Sequence, residues 1–293
     1  MKTRLITSAV GIAILFIVMF FFETILFDLV IAGICLIAIH EIFKALQFEK
    51  APYIYWGFVV YTLLIMLSNF HLARVWILPA SYLFALYLAI CVILNSKSIN
   101  FAKLGGMALF SGIVIFCFYS FIYLKRLLPQ ENYNYDAIYF IFLILGVAWG
   151  GDSAAYFAGR AFGKHKLAPV VSPNKTVEGA IGGVLGSMLL GVVVTAVYAS
   201  IYGKLVGIPM AKLGIPYYIT IALLAGVGSG LGMLGDLFAS AVKRQCAIKD
   251  YGTIFPGHGG VLDRFDSVMF IAPFVSIVVT MVFYYFTHPA SFS

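Results

Sequence analysis

"MKTRLITSAVGIAILFIVMFFF", residues 1–22, holds the choice that decides the fold. Its basic start and apolar core imitate a secretory signal, yet no small-x-small cleavage site follows, and Glu23 and Asp28 lead into another apolar run. The stretch reads as an uncleaved first membrane span. The rest of the chain agrees: 62% of the 293 residues are hydrophobic and 11% charged, and the mean hydropathy is +1.02. Soluble domains carry roughly 25% charged residues because they must present a polar surface to water. A β-barrel would show short alternating segments, whereas these apolar runs are continuous and approach the roughly 20 residues a helix needs to cross a bilayer. The expected class is therefore an all-α, polytopic integral membrane protein.

Nine candidate spans can be drawn, at roughly 5–22, 24–43, 53–69, 75–94, 104–124, 136–159, 177–202, 216–240 and 267–287. With the N-terminus inside, fourteen of the nineteen basic residues fall on the cytoplasmic side. Arg74, Lys125, Arg126, Lys204 and Lys212 fall on the other. The positive-inside rule then puts the N-terminus in and the C-terminus out. The net charge of +7 is thus explained by topology and calls for no nucleic-acid partner. Cys35, Cys91, Cys117 and Cys246 are scattered and form neither a disulfide framework nor a metal-thiolate pattern.

Glycine divides the chain. It recurs densely from Gly146 to Gly260, in "GVAWGGDSAAYFAGRAFG", "EGAIGGVLGS" and "AGVGSGLGMLGD", and small residues let membrane helices approach closely or break. Residues 1–135, rich in Phe, Leu and Ile, read as scaffold. Residues 136–293 read as a tightly packed functional core with cytoplasmic loops.

Chemistry gathers in that second part. Intramembrane acids are costly and call for a partner, a cavity or a cation, and Asp152 and Asp236 lie within spans. Helical spacing puts Asp236, Ser240 and Lys243 on one face with Arg244 beside them. The run "KDYGTIFPGHGGVLDRFD", 249–266, follows. Its Gly252, Pro256, Gly257, Gly259 and Gly260 forbid a continuous helix and allow backbone N–H groups close to an anion, as in phosphate-binding loops. Asp263 and Asp266, three apart with Arg264 between, are the oxygen donors that hard cations such as Mg²⁺ prefer. Zinc is disfavoured, since His258 has no second ligand at the right spacing. In the loop before the seventh span, "SPNKTVEG" at 172–179, Pro173 is expected to enforce a turn and Thr176 to cap the helix, with Lys175 and Glu178 near that cap. A helix start with a lysine beside it suits an anion.

Residues 240–266, "SAVKRQCAIKDYGTIFPGHGGVLDRFD", resemble the signature of the phosphatidate cytidylyltransferases, or CDP-diacylglycerol synthases. The matching positions are Ser240, Lys243, Arg244, Lys249, Asp250, His258 to Gly260, Asp263, Arg264 and Asp266. "SPNKTVEG" and "WGGDSAAYFAGRAFGKHK" are similar to upstream segments of that family. The resemblance runs from about Gly146 to Asp266 and does not extend convincingly to the first five spans.

It implies transfer of CMP from CTP to phosphatidate at the cytoplasmic membrane, with Mg²⁺, room for a second cation, and a homodimer. By the same analogy Asp236, Asp263 and Asp266 bind metal. Lys243, Arg244, Lys249, Asp250, His258, Arg264 and Lys175 carry catalysis. Ser172, Asn174, Lys175, Thr176, Ser240, Gly259, Gly260 and Asp152 contact substrate. An ion-coupled secondary transporter is the competing reading, since such carriers also use Gly-broken helices with intramembrane acids. Against it, the polarity crowds one half of the chain, with no internal repeat.

Overall fold

The computed structural model describes residues 2–48, 51–68, 74–97, 99–129, 133, 135–206, 214–255, 257 and 259–287. Eleven helices follow in order among them: α1 Lys2–Phe20, α2 Ile25–Ala45, α3 Pro52–Leu67, α4 Ile77–Leu94, α5 Phe101–Leu127, α6 Asp136–Leu145, α7 Gly151–Phe162, α8 Val177–Val206, α9 Ile215–Gln245, the short α10 Leu262–Phe265 and α11 Val268–Thr287. Among the described residues, seven segments are long and apolar enough to cross a membrane, α6 and α7 together making one of them. The apolar part of α1 and the whole of α3 fall short. At 1.5 Å per residue α3 spans about 24 Å, less than a hydrocarbon core of about 30 Å.

The strands β1 Lys166–Ala168 and β2 Ser172–Thr176 form a small antiparallel hairpin, with Lys166 opposite Thr176 and Ala168 opposite Ser172. This corrects the turn expected at Pro173. The chain reverses at residues 169–171 instead, and Pro173 lies inside β2. A two-stranded sheet is all edge, so a residue without an N–H can sit on its open side at no cost in ladder bonds.

By its contacts the chain forms two compact units. One joins residues 1–122 to residues 243–265; the other joins residues 123–242 to residues 266–293. In the first, α2 supplies a buried stripe of Phe27, Ile31, Cys35, Ile39 and Ile42, each less than a tenth exposed. Tyr251 of the returning segment meets Phe110 edge to face at 5.7 Å, and Phe265 meets Phe118 at 5.2 Å. Aromatic pairs of this kind hold the segment against α5.

The second unit is organised by glycine. A Cβ at Gly182 or Gly186 of α8 would collide with Ala158 or Ala154 of α7, and one at Gly151 with Ser187. Small residues facing small residues bring the two backbones together, as expected of close membrane-helix packing. Between α6 and α7 the helix widens into one π turn, Gly146–Gly150. Such a turn displaces a carbonyl from the ordinary ladder, and Ser187 Oγ donates to Val147 O at 3.0 Å. On α9, Gly235 lets the backbone approach the Asp266 carbonyl, and Gly232 lies against Ser267 and Ile271.

Candidate functional site

Each unit holds its own polar constellation. In the first unit it is built where α9 ends. Ala247 adopts a left-handed conformation, φ 55°. Its N–H bonds back to Arg244 O at 3.2 Å, and that of Ile248 to Lys243 O at 3.0 Å. This is a Schellman closure of the helix, with alanine where glycine is usual. It releases the chain into the loop while Lys243 remains on the last turn.

Lys243 Nζ lies 2.9 Å from Asp263 Oδ1 and 5.5 Å from the centre of the Tyr251 ring. The two charged side chains are 14% and 4% exposed. The second oxygen of Asp263 is also engaged: Oδ2 accepts from Tyr251 N at 2.8 Å and Gly260 N at 2.9 Å. An ammonium and two amides therefore satisfy this buried carboxylate, as a charge removed from water requires. Gly259 supports the arrangement with φ +84°, and a Cβ there would run into Asp263 at 2.8 Å.

Glu41 completes this constellation, and it is not among the residues picked out from the sequence. It lies in α2 and is 3% exposed. Its Oε1 accepts from Val261 N and its Oε2 from Leu262 N, each at 2.9 Å. A Cβ at Gly252 or Gly260 would collide with its carboxylate. The glycines were expected to let backbone amides meet a phosphate. Here the amides of residues 260, 261 and 262 are bonded to carboxylates of the chain itself, and two of the glycines make room for one of them. The available signal was an acid inside an apolar helix, "LIAIHEIFK" at 36–44, the same criterion that singled out Asp152 and Asp236.

In the second unit the hairpin leads into α8. Thr176 Oγ1 accepts from Gly179 N at 3.1 Å, so Thr176 caps the helix as its sequence position predicts. Glu178 turns back onto the preceding segment, accepting from Lys164 N at 3.0 Å and pairing with His165 Nδ1 at 2.6 Å. Lys175, next to the cap, is ion-paired with Asp236 Oδ2, while Ser240 Oγ donates to Asp236 Oδ1 at 3.2 Å. The side chains of Lys175 and Asp236 are about one quarter exposed. Asp152 Oδ2 accepts from Ser267 Oγ at 2.8 Å, beside a cavity of about 10 Å³ lined also by Ser229, Gly151 and Gly183. That volume holds a single water. Asp266 Oδ1 accepts from Ser267 N at 2.9 Å.

The predicted face of α9 is thus real in its first step, Asp236 to Ser240, while Lys243 turns to Asp263. Ser172 is half-buried in β2. Asn174, Arg244, Lys249, Asp250 and Arg264 present exposed side chains. His258 lies outside the described residues. Among the described residues, no three or more His, Cys, Asp or Glu side chains gather as a metal cluster. The donor chemistry still fits a hard cation, since Mg²⁺ commonly takes one or two carboxylates and completes its octahedron with water and substrate phosphate. Asp236 and Asp266, partly open to solvent, meet that description more readily than Asp263, whose side chain is only 4% exposed.

The family model described as the cytidylyltransferase family matches residues 2–282. The chain is 36% identical over 200 residues to a phosphatidate cytidylyltransferase of Bacillus subtilis (strain 168), a stretch covering 68% of this chain and 67% of that one. It is 38% identical over 148 residues to the phosphatidate cytidylyltransferase of Staphylococcus aureus (strain COL), and 41% identical over 147 residues to that of Staphylococcus haemolyticus (strain JCSC1435). In both staphylococcal comparisons the match spans 50% of the relative's length.

Proposed function

The chain belongs to the cytidylyltransferase family, and from that premise we propose that it transfers a cytidylyl group from CTP to phosphatidate, giving CDP-diacylglycerol and pyrophosphate. The observation that carries the reading is the family match across residues 2–282. Nothing in the comparisons favours the ion-coupled carrier.

An oxygen of the phosphatidate phosphate attacks the α-phosphorus of CTP. A new phosphoanhydride bond forms, the α–β bond breaks, and pyrophosphate leaves with the electron pair. The nucleophile is already an anion, so no side chain has to remove a proton from it. The task is to align two anions and neutralise the charge that builds at the transferred phosphorus. Lys175, Lys243, Arg244, Lys249 and Arg264 are assigned that neutralising role. Ser240 and the hairpin residues Ser172, Asn174 and Thr176 are assigned to substrate positioning, with Asp152. Asp250 and His258 are kept as polar groups of the same loop.

Asp236 and Asp266, with Asp263, would hold Mg²⁺. When bound, the cation supplies neutralisation of the nucleotide phosphates. Lys175 offsets the charge of Asp236 and lies beside the start of α8, where it would meet a substrate phosphate. The bilayer retains the acyl chains while the phosphate reaches the polar loops. The distribution of basic residues supports a site facing the cytoplasm, and a homodimer is the assembly that the family resemblance implies.

The test is incubation of the purified protein with labelled CTP, phosphatidate and Mg²⁺ in detergent. A nucleotide-linked lipid and an equal amount of pyrophosphate are expected, both abolished by chelator. Absence of the labelled lipid under all metal conditions sinks the assignment; chelator-resistant turnover sinks its metal part alone.

A further inference from the structure

We propose that Glu41 is a positioning residue for the reaction: it sets the main chain that carries Gly259, Gly260 and Asp263, although it lies in the part of the chain read as scaffold. The proposal rests on the function given above. Its structural core is the division of three consecutive amides between two carboxylates. Gly260 N–H points to Asp263, while those of Val261 and Leu262 point to Glu41.

Glutamate is specified here in three ways. Each of its oxygens meets one amide at 2.9 Å, so the site asks for two acceptors and no donor. Glutamine would turn an NH₂ toward one of the two N–H groups, and aspartate would withdraw both oxygens by about one methylene. Glu41 as a whole is 3% exposed, so bulk water is not at hand to take over a bond that is lost. Finally, Gly252 and Gly260 leave a slot that either Cβ would close. A purely space-filling residue would not need two acceptors aligned on successive amides, whereas a residue that fixes the pitch of a loop does.

The consequence reaches the reaction through Asp263. Loss of the Glu41 bonds frees residues 261 and 262, and with them the carboxylate that holds Lys243. Turnover should suffer chiefly through kcat, because the charged groups that neutralise the transferred phosphorus lose their alignment.

The test compares the full-length protein with E41Q in detergent, following kcat, KM for CTP and hydrogen exchange of peptides covering residues 259–265. Expected are a kcat lower by about 30- to 100-fold, a KM within about threefold of the parent, and exchange at least tenfold faster in that peptide but not in α8. E41D should fare no better than E41Q. If E41Q does not purify folded, G252A serves instead, since it keeps the carboxylate but crowds it, and it must show the same loss in kcat. Parental kcat in a folded E41Q or G252A, or unchanged exchange, overturns the proposal. The exchange measurement stands without the activity, so inactive parent protein would refute the functional reading and leave this one to be judged on exchange.

Discussion

Replacing Asp263 by asparagine tests the centre of the first unit. The carboxylate serves three donors at once: Lys243 Nζ on Oδ1, and the amides of Tyr251 and Gly260 on Oδ2. Asparagine has one acceptor oxygen. If it faces the two amides, its NH₂ is set against the Lys243 ammonium, donor against donor, and that cation loses its counter-charge in a place where it is 14% exposed. Removing one partner of a buried ion pair costs about 3–5 kcal/mol, because the remaining charge stays desolvated. The partial exposure of Lys243 argues for the lower end, about 3 kcal/mol, or roughly a hundredfold in an equilibrium or rate. The assay is kcat/KM for CDP-diacylglycerol formation in a double-mutant cycle of the parent, D263N, K243M and the double variant. Each single variant should lose about a hundredfold and the double variant little more, giving a coupling energy near 3 kcal/mol. Additive losses, with a coupling below about 0.5 kcal/mol, would refute the argument that the pair acts as one unit.

Three further predictions follow from other parts of the molecule. Ala247→Gly should raise stability by about 1 kcal/mol, because alanine is held at φ 55° where glycine carries no Cβ penalty; the readout is the thermal unfolding midpoint in detergent, and an unchanged or lower midpoint contradicts it. Gly186→Leu should destabilise by about 1–3 kcal/mol, since any Cβ there meets Ala154 across α7 and α8, whereas Leu185→Ala on the exposed neighbouring position should change the midpoint little. Burial pushes the Cys246 thiol above its ordinary value, with Lys103 pulling the other way. The reactive thiolate is therefore scarce at neutral pH and grows as pH rises toward the raised pKa; alkylation followed by mass spectrometry should speed up about tenfold per pH unit from 7 to 9, and a rate independent of pH would count against the burial of this thiol.

Much of the site could be read locally. The i, i+4 spacing of Asp236 and Ser240 became a hydrogen bond, and Thr176 became the cap its position foretold, because both depend on residues within one or two helical turns. Pro173 went the other way. A proline before a helix reads as a turn, but pairing with β1 made it a strand residue. The glycines of the signature loop were legible as a need for close approach, yet what approaches Gly252 and Gly260 is the side chain of Glu41, some 220 positions from its amide partners.

The amino-acid sequence alone determined that the chain is an all-α, polytopic membrane protein with most of its candidate polar groups gathered late, because bilayer length, glycine spacing and the scarcity of charge act on residues near one another along the chain. Only the tertiary structure decided which partner satisfies each charge: Lys243 pairs with Asp263, Lys175 with Asp236, and Glu41 accepts from two amides of the loop. A buried charge takes the partner that folding brings within hydrogen-bond reach, and sequence separation places no limit on that choice.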